Sequence, residues 1–132
     1  MPVKNYTEEE LNAMPLHKLL GVALTDLAWA ERTPGFVIDM SVFVSKQAGP
    51  CRVCLGGSVM ARRERFKDEI NVPDYAVALD VLRLGAVSHA LDQLGRSWSY
   101  GLDRKVRHYH TDRDQFLADM EKLRADLKEA GL

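Results

Sequence analysis

The chain has 132 residues, 46% of them apolar, and a formal net charge of −1 at pH 7. That length and apolar content suffice for one buried core without disulfides or metal. They exclude an extended disordered chain or a collagen-like repeat, and the near-zero charge excludes attachment to nucleic acid or an anionic membrane by whole-molecule attraction.

The opening residues Met1-Pro2-Val3-Lys4-Asn5-Tyr6 lack the apolar centre of a signal peptide. No apolar run approaches the roughly 20 residues that span a bilayer, so a cytoplasmic location and no membrane partner are expected. In a reducing compartment the two cysteines are expected as thiols rather than as a bridge.

Thr7-Glu8-Glu9-Glu10 matches a capping box and predicts a short first helix to about Met14. Pro15 suits the first turn of a second helix, in which Leu16, Leu19, Leu20, Ala23, Leu24, Leu27 and Ala30 recur at helical spacing. Thr33-Pro34-Gly35 should end it near Arg32. Residues 36–44 are rich in β-branched and aromatic side chains, as in a strand, yet no second such run offers a ladder partner. From Cys51 to about Phe66 a helix is expected despite Gly56-Gly57, each of which costs up to about 1 kcal/mol against alanine.

Close approach would offset that cost: Gly57, Ala61, Cys54 and Ser58 share a face of low bulk, matched by Gly21, Thr25 and Ala28 or by Ala86 and Ala90. Beyond Asn71-Val72-Pro73, Asp74 caps a helix through Leu82 that Gly85 breaks or bends before Val87, Ala90, Leu91 and Leu94. The stretch 95–110 is expected as an ordered loop. Thr111 or Asp112 then caps a last helix with the stripe Phe116, Met120, Leu123 and Leu127, which lies along the core or, if too long to be covered, forms a homodimer seam. The expected architecture is mainly α: a single compact helical domain of about five helices over 1–132, with one short strand or hairpin near 36–44.

Cys51-x-x-Cys54 admits three readings. The thiols pack as small apolar groups on a buried helix face, which the small and apolar neighbours favour. Alternatively Cys51 is a redox thiol at a helix N-terminus, although the alternating strands and helices of a thioredoxin-like fold are missing. Thirdly, Cys51, Cys54, His108 and His110 form one set of zinc ligands, although His-x-His is not the spacing of a zinc finger.

Arg62, Arg63, Arg65 and Lys67, with Arg104, Lys105, Arg107 and His108, interleave with Trp98, Tyr100 and Tyr109 as a nucleic-acid site would, most densely in the segment 96–110. Glu64, Asp68 and Glu69 offset the first cluster, so a solvated helix end and loop are favoured over nucleic acid. His89 and Asp92 stand one turn apart, but no nucleophile, base and orienting group form a series. His89 is expected partly buried. Gly57-Ser58 lacks the Gly-x-Ser-x-Gly elbow, and no lysine follows at P-loop spacing.

Cys51-Arg52-Val53-Cys54-Leu55-Gly56-Gly57-Ser58-Val59-Met60-Ala61 resembles a motif, C-x-V-C-L-[AG]-G-x-V-[MI]-A, of small uncharacterised proteins of tailed bacteriophages and prophages. Residues 78–85, Ala-Leu-Asp-Val-Leu-Arg-Leu-Gly, resemble their second shared block. The resemblance covers about the middle third of the chain and implies a phage-encoded protein acting inside a bacterial cell, without a known activity or catalytic residue. Gly56 stands where alanine is expected, a small-for-small change that fits close packing.

The preferred expectation is therefore a non-enzymatic accessory protein, with no cofactor, binding a host or phage protein, as a possible homodimer. Its candidate exposed residues are Trp98, Tyr100, Arg104, Arg107 and Tyr109. The alternative is a zinc- or thiol-dependent protein using Cys51 and Cys54, and a minor one is nucleic-acid binding.

Overall fold

The computed structural model describes residues 6–40, 44–45, 51–55, 58–59, 83–95, 98 and 101–132. Helix α1, Glu8–Ala13, opens with the expected capping box: Thr7 Oγ1 accepts the Glu10 N–H and Glu10 Oε1 accepts the Thr7 N–H, both at 3.1 Å. Pro15 caps α2, Leu16–Arg32, whose Leu16, Leu19, Leu20, Ala23, Leu27 and Ala30 are buried. The helix stops where the Thr33 hydroxyl bonds back to the Trp29 carbonyl at 2.6 Å, and Gly35 takes a φ of +92° to turn the chain. That conformation favours glycine, because a Cβ would crowd the backbone there.

The turn delivers strand β1, Phe36–Ile38, followed by β2, Val44–Ser45, and β3, Cys51–Val53. The sheet order is β1-β3-β2, with β1 parallel to β3 and β2 antiparallel to it. The expected strand near 36–44 thus has a partner after all, in residues expected to begin a helix. Cys51–Val53 is extended, and helical backbone starts beyond it, at Leu55, with the Ser58 N–H donating to the Cys54 carbonyl at 2.9 Å. The reason is the unpaired ladder of Phe36–Ile38, which β3 satisfies while placing Val53 against Ala30 in the core. Gly57 and Ala61 of the expected small face, the helix from Asp74 and the second shared block up to Leu82 lie outside the described residues.

Helix α3, Arg83–Gln93, runs through Gly85 and buries Leu91. His89, expected partly buried, is exposed. The stretch expected as a loop contains helix α4, Leu102–Arg107, and a 3₁₀ turn, His108–His110. Its periodicity is there: Trp98, Leu102, Val106 and Tyr109 follow at four, four and three, and all meet the core. Asp112 caps α5, Arg113–Glu129, by accepting the Gln115 N–H at 3.1 Å.

The four stripe residues of α5, Phe116, Met120, Leu123 and Leu127, are buried within the one chain against α2. The two helices run antiparallel, since the start of α2 meets the end of the chain through His17 N and the Leu132 carbonyl (3.2 Å), while Glu31 at its other end meets Arg113. Gly21 accommodates the Arg124 guanidinium, not a second backbone: a Cβ built there would stand 2.9 Å from Nη2. No helix among the described residues is long and apolar enough to cross a membrane.

Candidate functional site

Among the described residues strand β1 is an edge of the sheet, and its backbone alternates about the ladder. The Asp39 N–H donates to the Val53 carbonyl at 2.8 Å, so residues 37 and 39 turn their polar groups towards β3 and residues 36, 38 and 40 turn theirs away. Of these outward groups, the Phe36 N–H donates to the Thr33 carbonyl at 3.3 Å and the Met40 N–H donates to His110 Nε2 at 3.0 Å. Ile38 lies between them. On the side-chain faces, Phe36 and Ile38 turn to the core with Val53 and Trp29, whereas Val37 is 45% exposed and stands in register with Arg52. Arg52 reaches Asp39 at 3.7 Å, with more than half of its side chain in solvent.

His110 is held at this edge by a chain of contacts from α2 and α5. Its ring stands edge-on to Tyr109, at 5.4 Å and 90°, and Tyr109 stands edge-on to buried Phe116, at 5.4 Å and 87°. The Tyr109 hydroxyl donates to Glu31 Oε2 at 2.7 Å, and Arg113 donates to both Glu31 oxygens through Nε and Nη2, each at 2.7 Å. Such a two-point fork is the strongest carboxylate geometry a side chain offers. The Arg113 hydrogen bonds hold Glu31 below the usual carboxylate range, against the opposing effect of burial. Burial and the Glu31 carboxylate push the Tyr109 phenol up to about 12, and Glu31 likewise raises Arg113. Because Nε2 accepts from Met40, the His110 proton sits on Nδ1.

Between β1 and the 3₁₀ turn lies a cleft of about 540 Å³ lined by Val37, Ile38, Asp39, Met40, Arg52, Arg107 and His110. It joins two features that are distant in sequence: Arg52 comes from the cysteine motif, and Arg107 and His110 from the basic and aromatic segment. Among the described residues the lining carries two guanidiniums and one carboxylate. A second cleft, of about 360 Å³, lies where Arg124 crosses Gly21, beside Lys18 and Asp26.

The other expected site residues are dispersed. Trp98, expected at the surface, is 2% exposed, and its Nε1 donates to Asp126 Oδ2 at 2.8 Å. Lys105 and Lys122 flank its ring at 5.0 and 5.9 Å, and Lys105 also faces buried Asp119 at 3.8 Å. The reason for the burial is the pairing of an indole N–H with a carboxylate on the α5 stripe. Asp119 and Asp126 carry a signal for burial in the sequence, since they fall between Phe116 and Leu127 at core spacing. Tyr109 is half-buried and Arg104 exposed, while Tyr100 and the cluster of Arg62, Arg63, Arg65 and Lys67 lie outside the described residues.

The three expected zinc ligands whose side chains are described are turned to different neighbours. His108 Nδ1 stands 4.0 Å from Asp119 Oδ2, His110 Nε2 takes the Met40 N–H, and Cys54 is half-buried against the main core. The Cys51 side chain lies outside the described residues. Among those described, no three His, Cys, Asp or Glu residues gather as a metal site.

Fold and cleft together define a mainly α protein in which, among the described residues, a three-stranded sheet borders a cleft lined by Arg52, Arg107, Asp39 and His110. No family model, curated protein or solved structure matches the chain.

Proposed function

We propose that this is a small binding protein that takes a segment of a partner protein into the cleft between β1 and the His108–His110 turn. The observation that carries the reading is the convergence of Arg52, Arg107 and His110 on one solvent-open cleft beside exposed Val37. Protein is favoured over nucleic acid because the Trp98 and Tyr109 rings, which a stacking site would present to bases, pack on the core. The resemblance of residues 51–61 to phage and prophage proteins supports a host or phage polypeptide in the bacterial cytoplasm as the partner. Arg52, at the variable second position of that motif, is then a wall of the cleft.

The test is a benzophenone amino acid placed at Val37 and, as a control, at Leu94, which is 62% exposed elsewhere. Irradiation in bacterial cells should yield a discrete cross-linked polypeptide from position 37 only. The product should disappear when Arg52→Glu and Arg107→Glu are added. Equal products from both positions, or a product at 37 unaffected by the charge reversals, would sink the reading.

A further inference from the structure

We infer that the second cleft, where the end of α1 and helix α5 meet α2 around Gly21, is a site for a small organic monocarboxylate, held by its carboxylate between Lys18 and Arg124 Nη2. The site shares no residue with the cleft at β1 and does not depend on it. Its first support is the state of the two cations. Arg124 Nε donates to the His17 carbonyl at 3.3 Å and Nη1 donates to both Glu121 oxygens at 3.1 and 3.2 Å, which leaves Nη2 without an acceptor among the described residues. Lys18 lines the same cleft, and its ammonium has no partner among the described residues. A guanidinium already fixed through two of its nitrogens presents the third with little further loss of freedom.

The second support is Gly21. A Cβ there would stand 2.9 Å from Nη2 and 3.2 Å from Cζ, so the glycine is what lets the guanidinium lie against α2. Lys18 stands one turn before Gly21 in that helix, and Val22 one turn beyond Lys18, so the cations and an apolar wall share one face. A glycine is costly in mid-helix, and the placement of Nη2 is what it makes possible here.

The surroundings select the ligand. Asp26 lines the same cleft, although it is 1% exposed and already engaged, and Glu121 sits on Arg124. Two carboxylates so near the two cations disfavour a doubly charged phosphate and leave a place for a single negative charge. Half-buried Tyr6, Met14 and Val22 offer apolar surface to a short alkyl or aryl body, and about 360 Å³ holds a molecule of that size.

The probe is phenylacetate, titrated into the ¹⁵N-labelled full chain at neutral pH, with uncharged phenylacetamide and inorganic phosphate as comparisons. The acid should shift the Gly21 and Val22 amide resonances saturably, with a Kd of about 1 mM, and the amide should bind about tenfold more weakly. Lys18→Gln, at an exposed position, should weaken the acid several-fold. Gly21→Ala removes no charge but displaces the guanidinium. It should weaken the acid about tenfold and narrow the gap between acid and amide, which a merely blocked cleft would not do, while the thermal midpoint stays at or above that of the wild type. Equal binding of the amide, equally tight binding of phosphate, or unchanged affinity in either variant would overturn the site. So would the absence of saturable shifts at about 10 mM acid.

Discussion

The Tyr109 hydroxyl donates a 2.7 Å hydrogen bond to Glu31 Oε2, the same oxygen that accepts from Arg113 Nε. One carboxylate at the end of α2 therefore ties down both the 3₁₀ turn and the first turn of α5. The His110 ring, packed edge-on against Tyr109, is oriented by that carboxylate without touching it.

Tyr109→Phe keeps the ring contacts with Phe116 and His110 and removes only the hydroxyl. The expected cost is about 1 kcal/mol in urea unfolding at pH 7, typical of one hydrogen bond. Because the phenol is raised to about 12 in the folded chain, the wild type keeps this contribution below pH 10 and loses it as pH climbs towards 12. The two proteins should converge over that range. Absorbance titration should show a tyrosine step at about pH 12, and the substitution should remove that step.

Glu31 behaves with the opposite sign. Its carboxyl is held low by Arg113, so its contribution is present above the ordinary carboxylate pKa and disappears as pH falls through the lowered value. Glu31→Gln should be less stable than wild type at pH 7, and the difference should shrink steadily in acid. Parallel unfolding curves at pH 7 and pH 3 would contradict the assignment.

Trp98 pairs with Asp126 inside the core. Trp98→Phe leaves that carboxylate short of one donor and trims the packed volume, for an expected loss of about 2 kcal/mol or more. Trp29→Phe, at a half-buried ring that packs at a tilt of 55° against Phe36, should cost less. Chemical denaturation followed by circular dichroism, which does not depend on either indole, compares the two.

Gly21 sits mid-helix beneath the Arg124 guanidinium, which also donates to the His17 carbonyl at 3.3 Å and to Glu121. In an Arg124→Ala background, Gly21→Ala should stabilise the chain by about 1 kcal/mol, the helix-propensity difference. With Arg124 present the gain should be smaller, because the new methyl group displaces the guanidinium. A double-mutant cycle in urea measures that coupling.

Much of the helical skeleton was legible locally. The capping box at Thr7, the stop at Thr33-Pro34-Gly35, the cap at Asp112 and the stripe from Phe116 to Leu127 each depend on residues within a turn or two of one another. The 3₁₀ turn and α4 fall where a loop is expected: the spacing of Trp98, Leu102, Val106 and Tyr109 carries their signal, but polar neighbours mask it. Buried Asp126 had a signal of the same kind, a carboxylate at core spacing in a chain with an indole to pair.

The cleft was not legible, because its parts meet only through pairings distant in sequence. Cys51–Val53 has a composition that suits a helix or a strand, and it is a strand because Phe36–Ile38 needs a ladder partner. His110 reads as a metal ligand beside His108, yet the 3₁₀ turn points one ring at Asp119 and the other at the β1 edge. Sequence by itself determined the helices, whose hydrogen bonds close within four residues. Tertiary structure alone decided the sheet and the cleft, since a strand's hydrogen bonds and a cleft's charges take their meaning from whichever segment the fold brings alongside.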